Sequence, residues 1–86
     1  MPELCSFYGI RITLYFGDHA PAHFHAQYGD QVANVRIDNG ETLCGSLPKR
    51  AARLVEQWRT QHAEDLAAAW DRVQRNELPG KIEPLA

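Results

Sequence analysis

The 86-residue chain has no CxxC pair, no apolar run long enough to cross a membrane and no basic excess. Each absence removes a class of protein. Two cysteines, Cys5 and Cys44, lie far apart without zinc-finger spacing, which excludes a disulfide framework and fits a reducing compartment. No stretch approaches the ~18 apolar residues of a spanning helix, and no charged n-region with an apolar h-region opens the chain. The expected setting is therefore soluble and cytoplasmic. Nine Lys and Arg against eleven Asp and Glu leave a net charge of −2, unlike the strong positive balance of a general nucleic-acid binder. A glycine-rich phosphate loop, a Ser/His/Asp arrangement and a helical HExxH are all missing.

What remains is an ordinary globular composition, 44% hydrophobic and 23% charged, at a length that predicts one domain over residues 1–86. The first half alternates. Tyr8, Ile10, Ile12, Leu14 and Phe16 fall on one side of a predicted strand over 8–16. Phe24, Ala26 and Tyr28 do the same over 22–28, and Ala33, Val35 and Ile37 over 31–38. Gly29-Asp30 is a two-residue hairpin turn, and Asn39-Gly40 leads to a short fourth strand over 42–45. Leu43 would then point outward, so a bulge is expected there.

These turns set a register. Phe24 stands opposite Val35, His25 opposite Asn34 and His23 opposite Arg36. A loop over 17–21 puts Leu14 opposite Phe24 and Tyr15 opposite His23. Both pairings keep the apolar residues on one face, as a half-buried sheet requires.

The second half is helical. Ala51, Val55, Trp58, His62, Leu66, Ala69 and Val73 form one stripe with a period near 3.6, predicting helix over 48–76. A single helix of that length would measure about 43 Å at 1.5 Å per residue, so a kink near 60–63 is an equal alternative. Leu78-Pro79-Gly80 ends the helix, and 79–86 is an extended tail. The expected fold is α+β: an antiparallel meander of three or four strands, one face packed by a C-terminal helix or kinked helix pair. Trp58 and Trp70 are its expected core anchors.

The chemistry-bearing segment is Asp18-His19-Ala20-Pro21-Ala22-His23-Phe24-His25, holding three of the four histidines. His23 and His25 leave the same face of their strand. With Asp18 and His19 they form a candidate divalent-metal set. The register argues the other way, because it brings Arg36 and Arg11 to the same face, where fixed positive charge opposes a cation. His23, His25, Arg36, Arg11 and Tyr15 instead suggest an anion site, in which guanidinium groups hold a phosphate and imidazoles move protons. A solvated polar sheet face or a partner contact is the third reading. Lys49, Arg50 and Arg53, in the first turns of the helix, are a second candidate anion site. No cofactor other than a divalent metal is suggested.

The segments Phe7-Tyr8-Gly9-Ile10, Asp18-His19, Pro21 with His23-Phe24-His25, Tyr28-Gly29, Gly45 with Leu47-Pro48-Lys49-Arg50, Leu54-Val55 with Trp58, and Lys81-Ile82 with Pro84-Leu85 resemble the small bacterial family catalogued as domain of unknown function 4160. Ala20-Pro21-Ala22 stands where that family usually has a polar residue and two prolines. The resemblance implies a cytoplasmic bacterial protein with a protein partner encoded by a neighbouring gene, in a toxin–antitoxin-like pair. It supplies no catalytic residues. Joined to the residue reading, it gives three expectations: a toxin-like half that binds or cleaves RNA at the His/Arg face as a metal-independent ribonuclease, a non-enzymatic antitoxin-like binding module, or a histidine-cluster metal-binding domain. Self-association is compatible with each.

Overall fold

A computed structural model describes residues 2–86. Five strands come first: β1 (Glu3–Phe7), β2 (Ile10–Thr13), β3 (His23–Tyr28), β4 (Gln31–Arg36) and β5 (Thr42–Gly45). Two helices follow, α1 (Lys49–Gln61) and α2 (Ala63–Gln74). Each strand pairs antiparallel with the next, so the sheet order is β1-β2-β3-β4-β5. The fold is α+β. Five strands replace the three or four expected.

The extra strand and the shorter second one have a common cause. Tyr8 and Gly9 both take positive φ, 50° and 81°, as the central residues of a tight hairpin turn that pairs Phe7 with Ile10. The alternation over 8–16 ran through that turn. Tyr8 was assigned to the inner face and is 57% exposed, and Phe16, beyond the end of β2, is 43% exposed. β1 itself hides its period, because an irregularity between Glu3 and Cys5 leaves Leu4 and Cys5 both buried.

The predicted registers hold where the ladders extend. His23 faces Arg36, Phe24 faces Val35 and His25 faces Asn34. The β2–β3 pairs Thr13–His25 and Ile12–Ala26 continue the offset that set Leu14 against Phe24. β4 ends at Arg36 rather than 38, and the β4–β5 ladder shifts register across Leu43, where a bulge was expected.

Helix 48–76 is two helices. His62, at φ −125° and ψ 26°, leaves helical geometry and separates them. The apolar stripe continues across the break, which is why spacing alone left one rod or two open. Trp58 is fully buried, with ring centroids 5.7 Å from both Phe7 and Phe24, and its indole N–H donates to the Glu83 carbonyl at 2.8 Å. Through that bond, and through Ile82 N–H donating to Leu4 O at 3.1 Å, the tail closes the β1 edge. No helix among the described residues is long and apolar enough to cross a membrane.

β5, at the opposite edge, depends on one glycine. Gly45 has φ 77°, and a Cβ there would lie 2.0 Å from the backbone oxygen of Val32. A Gly45→Ala change should therefore strip β5 from β4 and lower stability by at least ~1–2 kcal/mol, the cost of left-handed backbone alone. Urea unfolding measures it, and an unchanged midpoint would refute the close approach.

Candidate metal centre

The loop between β2 and β3 folds back so that Asp18 lies over the start of β3. Its carboxylate Oδ2 stands 3.0 Å from His25 Nε2 and 3.3 Å from His23 Nε2. The three donor atoms lie within 4.8 Å of one another. The loop is tied down from outside: Gln74 Nε2, at the end of α2, donates to the Asp18 carbonyl at 3.1 Å, and Ile37 N–H donates to Ala22 O at 3.0 Å. The alternation of β3 places His23 and His25 on one side of the strand. Tyr15 packs on the His25 ring at 4.1 Å and Trp70 on the His23 ring at 5.5 Å, so both imidazoles have packed neighbours. His23 is buried, with Asp18 and His25 half-buried.

The hydrogen bonds decide what His23 can do. Its Nδ1 lies 2.8 Å from the Pro21 carbonyl oxygen. A carbonyl only accepts, so Nδ1 carries the proton. In the neutral ring, Nε2 is then a bare lone pair aimed at a carboxylate oxygen 3.3 Å away. Two such atoms repel. Either a second proton on the ring or a cation shared with Asp18 and His25 removes the conflict. An Nδ1–H bonded to a backbone carbonyl is also the arrangement that orients metal-bound histidines. The two carboxylate–imidazole spacings suit an ion: donors each ~2.1 Å from a metal stand about 3.0 Å apart at a right angle and about 3.4 Å apart at a tetrahedral angle.

The arginines expected at this site are committed elsewhere. Arg36 is paired with His23 across the ladder, but its guanidinium donates to Asp38 at 2.9 and 2.7 Å. That pairing holds the Asp38 carboxyl below the usual range and raises Arg36. Arg11 lies 3.2 Å from Glu3. Each therefore brings its own negative charge, which weakens the electrostatic objection to a cation. His19 is exposed, and the three-residue cluster does not include it. Lys49, Arg50 and Arg53 are exposed at the start of α1 and form no part of this site. Asp18 was one of the four residues of the candidate metal set, and it is the group that both imidazoles face. The Asp-x₄-His-x-His spacing was visible. The Pro21 carbonyl, Gln74 and Trp70 carried no signal in the sequence.

The two cysteines are free, Cys5 buried and Cys44 exposed. Burial, followed by the charge of Glu3, pushes the Cys5 thiol up to about 11. A disulfide reagent at mildly alkaline pH should thus label one thiol in the folded protein and two in urea. Because folding favours the protonated thiol, its contribution to stability is complete below the unfolded value and is lost as pH rises through about 11. Rapid labelling of both thiols in the folded state would contradict the burial.

Fold and site together define a small α+β domain carrying a two-histidine, one-carboxylate cluster at the start of the central strand of an antiparallel sheet. A family model described as Domain of unknown function (DUF4160) matches residues 9–71, and the chain belongs to that family. No curated protein and no solved structure matches it.

Proposed function

We propose that this chain is a metal-binding domain in which Asp18, His23 and His25 hold one divalent transition-metal ion. The observation that carries the reading is the His23 ring, its Nδ1–H engaged by Pro21 O and its Nε2 aimed at Asp18 beside His25 Nε2. Two imidazoles and a carboxylate suit zinc, iron(II), cobalt or nickel better than magnesium or calcium, which prefer all-oxygen shells. Three protein ligands leave room for a water or a substrate oxygen, as in catalytic rather than structural sites. The anion-clamp alternative needs Arg11 and Arg36 free, and Glu3 and Asp38 engage them. The family resemblance adds a setting to the proposal: a bacterial cytoplasmic protein acting as one half of a toxin–antitoxin-like two-protein module.

The test is metal analysis of protein produced without a histidine tag. After loading with zinc or cobalt(II) and dialysis, one ion per chain is expected, released on acidification as protons compete for the imidazoles. Occupancy far below one for zinc, cobalt, iron(II), nickel and manganese alike would sink the reading and leave a charge-paired structural cluster.

A further inference from the structure

Nine side chains are basic, and six of them are engaged within the chain. Arg11 pairs with Glu3, Arg36 with Asp38, Arg59 with Glu56 and Arg75 with Glu77. Arg72 donates to the Pro79 carbonyl and Lys81 to the Glu3 carbonyl. Lys49, Arg50 and Arg53 make no ion pair among the described residues. All three lie within the first five residues of α1, whose first turn holds no acidic side chain. Unpaired positive charge is thus gathered in one place on a chain of net charge −2.

A groove of about 210 Å³ with a mixed polar and apolar lining adjoins it, formed by Tyr8, Ile10, Tyr28, Leu54 and Arg50 among others. Tyr8 and Tyr28 are 57% and 41% exposed. Their positions are built in: the β1–β2 turn presents Tyr8, and Tyr28 lies close enough to Gly9 that a Cβ there would sit 3.3 Å from its ring. Arg50, Arg53 and Leu54 follow at i, i+3 and i+4, so one face of α1 offers both cations and apolar surface.

The groove is smaller than the ~300–1,000 Å³ of small-molecule pockets and suits one large side chain. Three cations are also few for a nucleic acid. They neutralise about three phosphates, against the six to ten contacts typical of retained complexes. An acidic polypeptide gains from both features at once, by burying an apolar anchor and pairing the carboxylates beside it. We infer that this groove docks an acidic, extended segment of a partner protein. One large apolar side chain of the segment enters between Tyr8 and Tyr28, and its flanking carboxylates meet Lys49, Arg50 and Arg53. The surface is separate from the metal centre and does not depend on it.

The experiment is fluorescence anisotropy of the full chain with a labelled peptide Glu-Asp-Glu-Leu-Glu-Asp-Glu, its Leu-to-Ala version, and a single-stranded RNA of similar charge. The Leu peptide should bind saturably, more weakly as salt rises, and at least about tenfold tighter than the Ala version. Arg50→Glu with Arg53→Glu, both exposed positions, should cost at least about tenfold with the circular dichroism spectrum unchanged. A chelator should leave peptide binding unchanged, which separates this result from the fate of the metal proposal. Amide shifts in NMR should centre on Tyr8, Tyr28 and residues 49–54. Failure of the Leu peptide to bind, equal binding of the Ala version, or tighter binding of the RNA would each overturn the inference.

Discussion

Replacing His23 with Ala should abolish measurable zinc or cobalt binding, a loss larger than the ~10–100-fold that follows removal of an outer-shell partner. Of the three proposed ligands, His23 has the least freedom. Pro21 O fixes its tautomer, Trp70 packs on its ring, and it is 8% exposed. Its Nε2 cannot turn away from the cluster without giving up the bond at Nδ1. His25→Ala and Asp18→Asn should each fall by a similar order, the latter without changing side-chain volume. His19→Ala should bind as the unaltered chain does, because His19 is exposed and outside the cluster. Isothermal titration with untagged protein measures the affinities. Thermal unfolding gives an independent readout: a ligand at 100 times its Kd adds about 2.7 kcal/mol, and that gain should vanish in the three ligand variants. Equal losses for His19→Ala and His23→Ala would mean adventitious binding to surface histidines. Retained affinity in Asp18→Asn would remove the carboxylate from the site.

How much of this was legible depended on whether local pattern or tertiary contact set the feature. The β3–β4 register was readable because Phe24, Ala26, Ala33 and Val35 agree on one face only if the turn is Gly29-Asp30, and a slip would expose them all. His23 opposite Arg36 followed from that. The first hairpin was not readable: Tyr8-Gly9 lacks the Asn-Gly signal, and Tyr8 supports the alternation it interrupts. The break at His62 was anticipated only as an alternative, since hydrophobic spacing records which face is buried and not whether the backbone is continuous. The site divided the same way. Strand parity placed His23 and His25 together, but the partners of Arg11 and Arg36 depend on side-chain directions at Glu3 and Asp38 that spacing does not encode. An anion site therefore looked better supplied in sequence than it is in structure.

The largest effect on stability is expected from Trp58→Ala. A chain of this length has about 4–13 kcal/mol of stability in total, at ~0.05–0.15 kcal/mol per residue. Removing a buried aromatic costs about 3–5 kcal/mol when the surroundings cannot collapse. Here they cannot. Phe7 on β1 and Phe24 on β3 hold the indole from two strands, and neither can move without disturbing the sheet. The indole N–H also anchors the tail at Glu83, so the loss reaches Ile82 and Leu85, both buried. The variant should lose a large share of that stability, with near-ultraviolet dichroism weakened and the urea midpoint well below that of the unaltered chain. Trp58→Phe separates the two contributions. It keeps most of the ring contact but lacks the donor, so the sheet should remain folded while the tail exchanges its amides faster, beginning at Ile82, whose N–H is bonded to Leu4 O. Unchanged protection of Ile82 in that variant would show that the tail is held by its own apolar contacts rather than by the indole. A stable Trp58→Ala protein would show that the core is not organised around this residue.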